Sequence, residues 1–374
     1  RGCASSQGRA QTALKKKMSE LQEKLGSMMM GALVVPTITL GRKLGLFEAL
    51  SEVASAAAPA DAKTIADKAG CKERYVREWL AVLSCAGFIE VTPDEKFWLT
   101  DEAKHEFTGL NNLLVSEMGY LPAIMKNYYG LADAFKKDGR YGLEYSQFTE
   151  FYEVMDVLTR AMTDAHLVKD YFPLIGMSDK LEAGGLKVLD VGCGSGYDLM
   201  KMASSYPACE FHGVDISDIA ITKAREILKE QGITNMTFHV EDAAKMPAEW
   251  SESFDFITIF DACHDQMRPD LSLKEIHRML KPGGTFAMLE VKGSSNIHTD
   301  KTTRGPFAAC PYAISLFHCL PVGSNRSDAL CLGMKWGEKR ARKLIEEAGF
   351  TKDNVQVLEP EFFPANLVYL CKKE

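Results

Sequence analysis

The chain has 374 residues, of which 46% are hydrophobic and 25% are charged, and its formal net charge is −7. This length is enough for two domains with separate cores, and the composition is that of an ordinary globular protein. The negative charge argues against nucleic acid or an anionic membrane as the main partner.

Residues 1–18 are predicted to be a disordered leader or a tag remnant, because they are polar, basic and begin with arginine. No signal-peptide hydrophobic region follows, and glycine and proline break the longest apolar stretch, residues 28–40. The ten cysteines lack the spacing of a zinc site or a disulfide framework. We therefore expect a cytoplasmic protein with reduced thiols, no membrane partner and no metal.

Residues 19–110 are predicted to form a winged-helix domain that also serves dimerisation. Apolar residues recur at helical spacing over residues 19–50, and helices are predicted over 61–70 and 72–87. Two short strands joined by a turn follow as the wing. Because the apolar helical region is larger than a winged helix needs to cover itself, we expect a homodimer.

A winged helix is also typical of transcription regulators, whose second helix places basic residues against DNA phosphates. Arg74 and Arg77 would take that part here, yet Glu73 and Glu78 offset them and the tip of the wing is acidic. We therefore expect no nucleic-acid partner.

Residues 111–180 are predicted to be a helical linker that contributes to a substrate pocket, because the segment is rich in aromatic side chains. Tyr120 and Tyr145 are candidate substrate contacts there, although packing is the default role for such tyrosines. From residue 181 onward, strands and helices alternate, which predicts a parallel sheet with helices on both faces.

The segment VLDVGCGSGY, residues 188–197, reads as a strand followed by a tight glycine turn and the start of a helix. Three glycines in the pattern G-x-G-x-G let the backbone turn sharply and approach a ligand closely. Asp215 ends the next strand 19 residues after Gly196. A carboxylate at that place accepts hydrogen bonds from two ribose hydroxyls, which predicts a nucleoside ligand.

The spacing of this turn differs from that of a dinucleotide site, which would read G-x-G-x-x-G. The third glycine comes one residue early, and an acid, Asp190, precedes the turn. An acid at that place would repel a phosphate but suits an ammonium or a sulfonium group. By itself such a turn leaves an NAD site open as an alternative.

The D-x-G-x-G-x-G form resembles motif I of class I S-adenosylmethionine (SAM) methyltransferases. Further elements extend the resemblance in order: Asp242 after the third strand, an apolar fourth strand ending at Asp261, and the L-x-P-G-G turn before the fifth strand. The resemblance implies an α/β fold, with a Rossmann-like seven-stranded sheet over residues 181–374. It also implies SAM contacts from these residues: Asp190, Gly192, Cys193, Gly194, Asp215, Ile216, Asp242, Ala243 and Asp261.

A winged helix ahead of such a domain, with His-Asp after the fourth strand, is similar to small-molecule O-methyltransferases that dimerise through the N-terminal domain. This resemblance implies that His264 is a general base. It also implies that Cys310 and His318 lie in an insertion that often covers the acceptor. Gln266 stands where those enzymes usually have tryptophan. The chain looks closer to a bacterial and invertebrate branch, some of whose animal members are associated with methylating small thiols.

The sequence therefore predicts a SAM-dependent methyltransferase acting on a small molecule, with a thiol as the favoured acceptor. Thiols need little help to ionise, because their pKa lies near 8.5. The alternative is O-methylation with His264 as general base. A winged-helix regulator that senses SAM is the rival class of function.

Overall fold

The structure is a computed structural model and describes residues 19–109 and 113–374. The chain divides into two compact units, Arg1–Leu121 and Pro122–Glu374. The predicted leader lies outside the described residues. The predicted pocket region, residues 111–180, is divided between the two units, and most of it belongs to the second.

The N-terminal unit is helical apart from one hairpin, in which β1 (Glu90–Val91) pairs antiparallel with β2 (Phe97–Trp98). The hairpin and the two helices that precede it occur where the sequence predicts them. The described helices of this unit are Glu20–Lys43, Leu46–Val53, Ala62–Ala69, Glu73–Cys85, Asp101–Phe107 and Leu113–Glu117. A further helix, Tyr120–Met125, contains the boundary between the units.

Trp79 ties the long first helix to the winged helix within this unit. Its indole N–H donates to the carbonyl of Thr37 at 3.0 Å, and a side chain at Gly41 would collide with its ring. The helix that carries Trp79 buries one apolar face, which consists of Val76, Trp79, Leu80 and Leu83.

The first helix is continuous over Glu20–Lys43 and contains Gly31 and Pro36, in agreement with the helical spacing of its apolar residues. The proline ring removes one backbone donor, and the Thr37 hydroxyl donates to the carbonyl of Leu33 at 3.0 Å in the same turn. This helix and the segment Ile297–Gly323 reach the length and hydropathy of a membrane span. Core helices reach the same values, so this similarity is weak evidence for a membrane.

The C-terminal unit contains a seven-stranded sheet with the order β5-β4-β3-β6-β7-β9-β8. β9 runs antiparallel to both of its neighbours, and the other pairs are parallel. This is the predicted Rossmann-like sheet. Its strands are β3 (Lys187–Val191), β4 (Glu210–Asp215), β5 (Met236–Val240), β6 (Phe254–Phe260), β7 (Leu280–Val291), β8 (Val355–Leu358) and β9 (Asn366–Lys372).

Helices cover both faces of this sheet, and two separate apolar cores form, one on each side. Because the central strands are parallel, their carboxyl ends meet at one edge, where α/β sheets bind ligands. The α-helices of the unit are Tyr128–Ala134, Thr149–His166, Phe172–Leu174, Ser178–Ala183, Tyr197–Ser205, Asp218–Gln231, Pro269–Met279, Ile297–Arg304, Ala309–Ile314, Leu320–Gly323 and Glu338–Glu347. Single π-helical turns occur at Leu167–Tyr171 and Ser315–Cys319.

Candidate functional site

The glycine turn after β3 has all three of its glycines in the left-handed backbone region. Gly192, Gly194 and Gly196 have φ values of +76°, +53° and +78°. A Cβ at Gly192 would collide with Ala262, and one at Gly196 would collide with the ring of Phe238, whereas Gly194 faces open space. The outer glycines are thus required for packing, and the middle one leaves room for a ligand.

A pocket opens at this carboxyl edge of the sheet, within the C-terminal unit. Of the nine residues predicted to contact the cofactor, eight line it: Gly192, Cys193, Gly194, Asp215, Ile216, Asp242, Ala243 and Asp261. The ninth, Asp190, is 3% exposed and is not among the lining residues. It accepts a hydrogen bond from the Thr258 hydroxyl at 2.8 Å, and burial raises its pKa well above the usual value.

Asp215 ends β4 with its carboxylate on the pocket. One oxygen accepts from the backbone N–H of Gly194 at 2.9 Å and the other from that of Ser217 at 2.8 Å. Burial raises the pKa of Asp215, and these backbone donors oppose the rise. Each oxygen retains a second lone pair, so the carboxylate can accept two more hydrogen bonds from a ligand.

Two further acids, Asp242 and Asp261, line the pocket. Asp242 is exposed and accepts from the backbone N–H of Ala244 at 2.9 Å. Asp261 has a φ of +47°, and the Asn366 amide donates to its two oxygens at 2.7 and 2.9 Å. Burial, with the nearby carboxylate of Glu290, raises the pKa of Asp261 to about 7.

The helix Thr149–His166, which lies in the segment predicted to contribute to a substrate pocket, forms one side of this pocket. Asp156 of this helix accepts from the Ser195 hydroxyl at 2.7 Å and pairs with Lys223. An amphipathic pattern predicts the helix but not its neighbour, because the contacts span about forty residues of sequence or more. The lining residues that it supplies are Phe151, Tyr152, Met155, Asp156 and Thr159.

His264, the predicted base, lies behind the pocket wall and is 2% exposed. Its Nδ1 lies 2.7 Å from Glu290 Oε2, and its Nε2 lies 3.4 Å from Asp265 Oδ1. Burial alone would lower the pKa of His264, but the carboxylates of Glu290 and Asp265 raise it well above the usual value. His264 is not among the residues that line the pocket.

Glu290 is the acid that holds His264, and sequence reasoning missed it. Its Oε1 accepts from the backbone N–H groups of Cys263 and His264 at 2.9 and 3.2 Å, and its Oε2 also accepts from the Trp336 indole at 3.2 Å. A glutamate in the otherwise apolar end of β7 was the available signal. Asp270, six residues after His264, pairs with Arg268 at 2.8 Å.

One side of the pocket, here called the polar wall, consists of Tyr145, Tyr152, Asp265, Gln266 and His318. The Tyr145 hydroxyl donates to Asp265 Oδ2 at 2.8 Å, and His318 Nδ1 lies 3.8 Å from the same oxygen. The rings of Tyr145 and Tyr152 stack at 5.7 Å. Two of the predicted substrate contacts, Tyr145 and His318, are thus brought together.

The other two predicted substrate contacts lie elsewhere. Tyr120 belongs to the N-terminal unit, and Cys310 is exposed at the start of its helix and does not line the pocket. His318 follows Cys310 by two helical turns but is 1% exposed. The apolar pattern of this segment did not separate its buried face from its exposed one.

Within the described residues, no two cysteines are joined by a disulfide bond. Among those residues, potential ligand atoms of His264, Asp265 and Cys319 lie within 4.8 Å of one another.

Comparison with protein families finds two matching domains. Residues 182–349 match a methyltransferase domain, and residues 31–108 match the Rv2258c-like winged helix-turn-helix domain. The first match contains the glycine turn, Asp215, Asp242, Asp261 and His264. The second covers the predicted winged helix.

The chain is similar to cycloartenol-C-24-methyltransferase 1 of Oryza sativa subsp. japonica, with 35% identity over 107 residues, which is 28% of this chain and 30% of the rice enzyme. It is also similar to demethylmenaquinone methyltransferase of Staphylococcus aureus, with 28% identity over 191 residues, covering 48% of this chain and 73% of that enzyme.

The fold matches that of human N-acetylserotonin methyltransferase, solved in complex with SAM. The TM-score is 0.60 at 18% identity, and the match covers 96% of this chain and 99% of the human chain. The glycine turn and the residues predicted to contact the cofactor lie within the matched methyltransferase domain. The chain therefore contains a SAM-dependent methyltransferase domain preceded by a winged helix-turn-helix domain.

Proposed function

We propose that this SAM-dependent enzyme methylates a small thiol. The observation that carries the proposal is the position of His264, which is buried behind the wall between two carboxylates and carries a raised pKa. A histidine that does not line the pocket is poorly placed to accept a proton from an oxygen acceptor. A thiol ionises largely unaided near neutral pH, so it tolerates a site without a strong base.

The residues at the carboxyl edge fit SAM by their chemistry. Asp215 has free lone pairs for ribose hydroxyls, Gly194 leaves open space, and Asp242 and Asp261 place further carboxylates along the pocket. SAM supplies a methyl group on a sulfonium that carries its own leaving group. The task of the protein is to align the acceptor with that methyl group and to exclude water. Asp190 acts from behind the turn by holding β3 to β6 through Thr258.

The proposal is tested by matched acceptor pairs. Benzyl mercaptan and benzyl alcohol, and benzenethiol and phenol, differ only in the nucleophilic atom. Each is incubated with the protein and SAM, and the S-adenosylhomocysteine formed is measured. We expect product from the thiol of each pair and little from its oxygen partner. Turnover of phenol alone would contradict the thiol proposal.

A second candidate is O-methylation with His264 as general base. One observation favours it: the Nδ1 contact to Glu290 is the orienting hydrogen bond that a catalytic histidine needs. Its Nε2 would then have to reach the acceptor past Asp265. Under this candidate, His264→Gln lowers the rate 10²–10⁴-fold at neutral pH with partial recovery at high pH. Under the thiol proposal, the loss has no such pH dependence.

We also propose that the enzyme is a homodimer and that the first helix supplies the interface. Apolar side chains on this helix are exposed within the N-terminal unit, and a second copy offers the same surface for a symmetric contact. The exposed residues are Leu21, Leu25, Met28, Met29, Met30, Leu33 and Leu40.

We further propose that the winged helix binds no nucleic acid. Its arginines are already neutralised, since Arg77 pairs with Glu73 at 2.9 Å and with Glu95 at 3.3 Å, and Arg74 pairs with Glu78. Phosphate contacts would have to displace these acids. We also propose a cytoplasmic location, because the spacing of the ten cysteines suits reduced thiols rather than a disulfide framework.

A further inference from the structure

The polar wall carries buried polar atoms that the protein itself leaves without partners. His318 is 1% exposed, and neither of its ring nitrogens has a hydrogen-bond partner among the described residues. The same holds for the Tyr152 hydroxyl, Asp265 Oδ1 and Gln266 Oε1. An unpaired buried polar group is costly, so several of them on one pocket wall indicate a ligand that pairs with them.

These groups are held in place by contacts that do not use their free atoms. His318 stacks on Phe151 with ring centroids 3.6 Å apart, and Phe148 meets its edge at 4.8 Å. Tyr152 stacks on Tyr145, whose hydroxyl is bonded to Asp265. The wall is therefore preorganised, and its free atoms are available to a bound molecule.

The free atoms are mainly acceptors. The carboxylate oxygen of Asp265 and the amide oxygen of Gln266 only accept hydrogen bonds, and a neutral imidazole has one accepting nitrogen. Burial lowers the pKa of His318 to about 4, with Asp265 opposing the fall, so the ring is neutral at pH 7. A ligand that satisfies this wall must donate hydrogen bonds.

The charge of the surroundings points the same way. Behind the wall, His264 lies between two carboxyl groups, those of Glu290 and Asp265. The two arginines on the pocket do not offset these acids, because Arg268 pairs with Asp270 and Asp328, and Arg326 with Asp328. The acids on the pocket are Asp156, Asp198, Asp215, Glu241, Asp242, Asp261 and Asp265.

We propose that the polar wall selects the acceptor by a hydrogen-bond-donating group beside its nucleophile, preferring an ammonium, accepting a hydroxyl and rejecting a carboxylate. This inference rests on the proposed methyl transfer to a small thiol. Asp265 binds the donating group, with His318 and Tyr152 completing the contacts. A carboxylate in that place would meet the carboxylate of Asp265 in a buried site, and two like charges at close range are strongly unfavourable there.

Three probes of the form HS–CH₂–CH₂–X test the proposal, because only their end group differs. They are cysteamine, 2-mercaptoethanol and 3-mercaptopropionate. Rates of S-adenosylhomocysteine formation are corrected for the fraction of each probe that is thiolate. In parallel, the affinities of their S-methyl products for the protein loaded with S-adenosylhomocysteine are measured by calorimetry. We expect the order amine, alcohol, acid in both measurements, with at least a tenfold difference between amine and acid.

Two variants assign the effect to the wall. Tyr152→Phe removes a hydroxyl that has no partner in the protein, so it leaves folding intact and lowers the affinity for the alcohol product about three- to tenfold. Tyr171→Phe is the matched control, because the Tyr171 hydroxyl is also buried and unpartnered but does not line the pocket. It should change no affinity. Asp265→Asn should abolish the preference for the amine over the acid.

Equal binding of the acid and amine products, or identical behaviour of Tyr152→Phe and Tyr171→Phe, would overturn the inference. Failure of the proposed function gives a different result. If no thiol probe yields S-adenosylhomocysteine, the thiol proposal falls, and the order of product affinities still decides whether the wall selects hydrogen-bond donors.

Discussion

Replacement of Asp215 by alanine tests the cofactor site most sharply. Its carboxylate already accepts from Gly194 and Ser217, and its remaining lone pairs face the pocket. Alanine would leave two ribose hydroxyls of SAM without these charge-assisted hydrogen bonds, at a cost of about 2–4 kcal/mol. That corresponds to a loss of affinity of roughly 30- to 1000-fold.

The assay is calorimetric titration of S-adenosylhomocysteine and of SAM into the wild type and the variants. Asp215→Asn keeps the shape of the side chain but loses its charge, so its affinity should fall between those of wild type and Asp215→Ala. Asp218→Ala is the matched control, because Asp218 is an exposed acid three residues further on that does not line the pocket. It should bind as the wild type does. Thermal denaturation shows whether each variant is folded.

Unchanged affinity of folded Asp215→Ala for both ligands would refute the assignment of the ribose to this carboxylate. Equal losses in Asp215→Ala and Asp218→Ala would refute it as well, because they would show a general charge effect rather than two specific hydrogen bonds.

Three further predictions concern the histidine, the first helix and the wing. His264→Ala should lower the free energy of unfolding by about 3–5 kcal/mol, because it leaves Glu290 buried without its charged partner. The pKa of His264 is raised in the folded protein, so its stabilisation is complete below the pKa of the unfolded state, near 6.5. The stabilisation is lost as pH rises through the pKa of the folded state. Denaturant titrations at rising pH should therefore show a shrinking difference in unfolding free energy between wild type and His264→Ala. The double change Leu25→Asp and Met29→Asp should convert the dimer into a monomer, measured by light scattering. Lys24→Asp, on the same helix, is the control and should leave the dimer intact. A double variant that remains dimeric would exclude this interface. Random duplex DNA should show no gel shift at physiological salt, and a salt-dependent shift would instead support the regulator hypothesis.

The fold could be predicted largely from local patterns. The glycine turn, the apolar strand at residues 254–260 and the spacing to Asp215 are short-range signals, and each occurs at the expected place in the sheet. The family matches and the fold confirm a class I methyltransferase with a winged helix. Pro36 lies inside the first helix without ending it, because a proline within a long helix removes only one backbone hydrogen bond.

Eight of the nine residues predicted to contact the cofactor line the pocket, and so do Tyr145 and His318 from the predicted substrate contacts. The acceptor side depends on contacts between distant segments, such as Tyr145 with Asp265, which are 120 residues apart. The helical or strand spacing of apolar residues does not predict a contact between such distant segments. The burial of His264 was hidden for the same reason, since Glu290 contacts it from β7 and is itself bonded to Trp336, further along the chain. His318 was a candidate only through the family resemblance, because a buried histidine in an apolar helical segment usually serves packing.

The central claim is that SAM and a thiol acceptor meet in this pocket, with the acceptor on the polar wall. The most direct measurement is a crystal structure of the protein with S-adenosylhomocysteine and the S-methyl product of cysteamine, 2-(methylthio)ethylamine. We predict the ribose hydroxyls on Asp215, and the amine on Asp265 and His318. A product bound against an exposed His264, or bound outside the polar wall, would contradict the account.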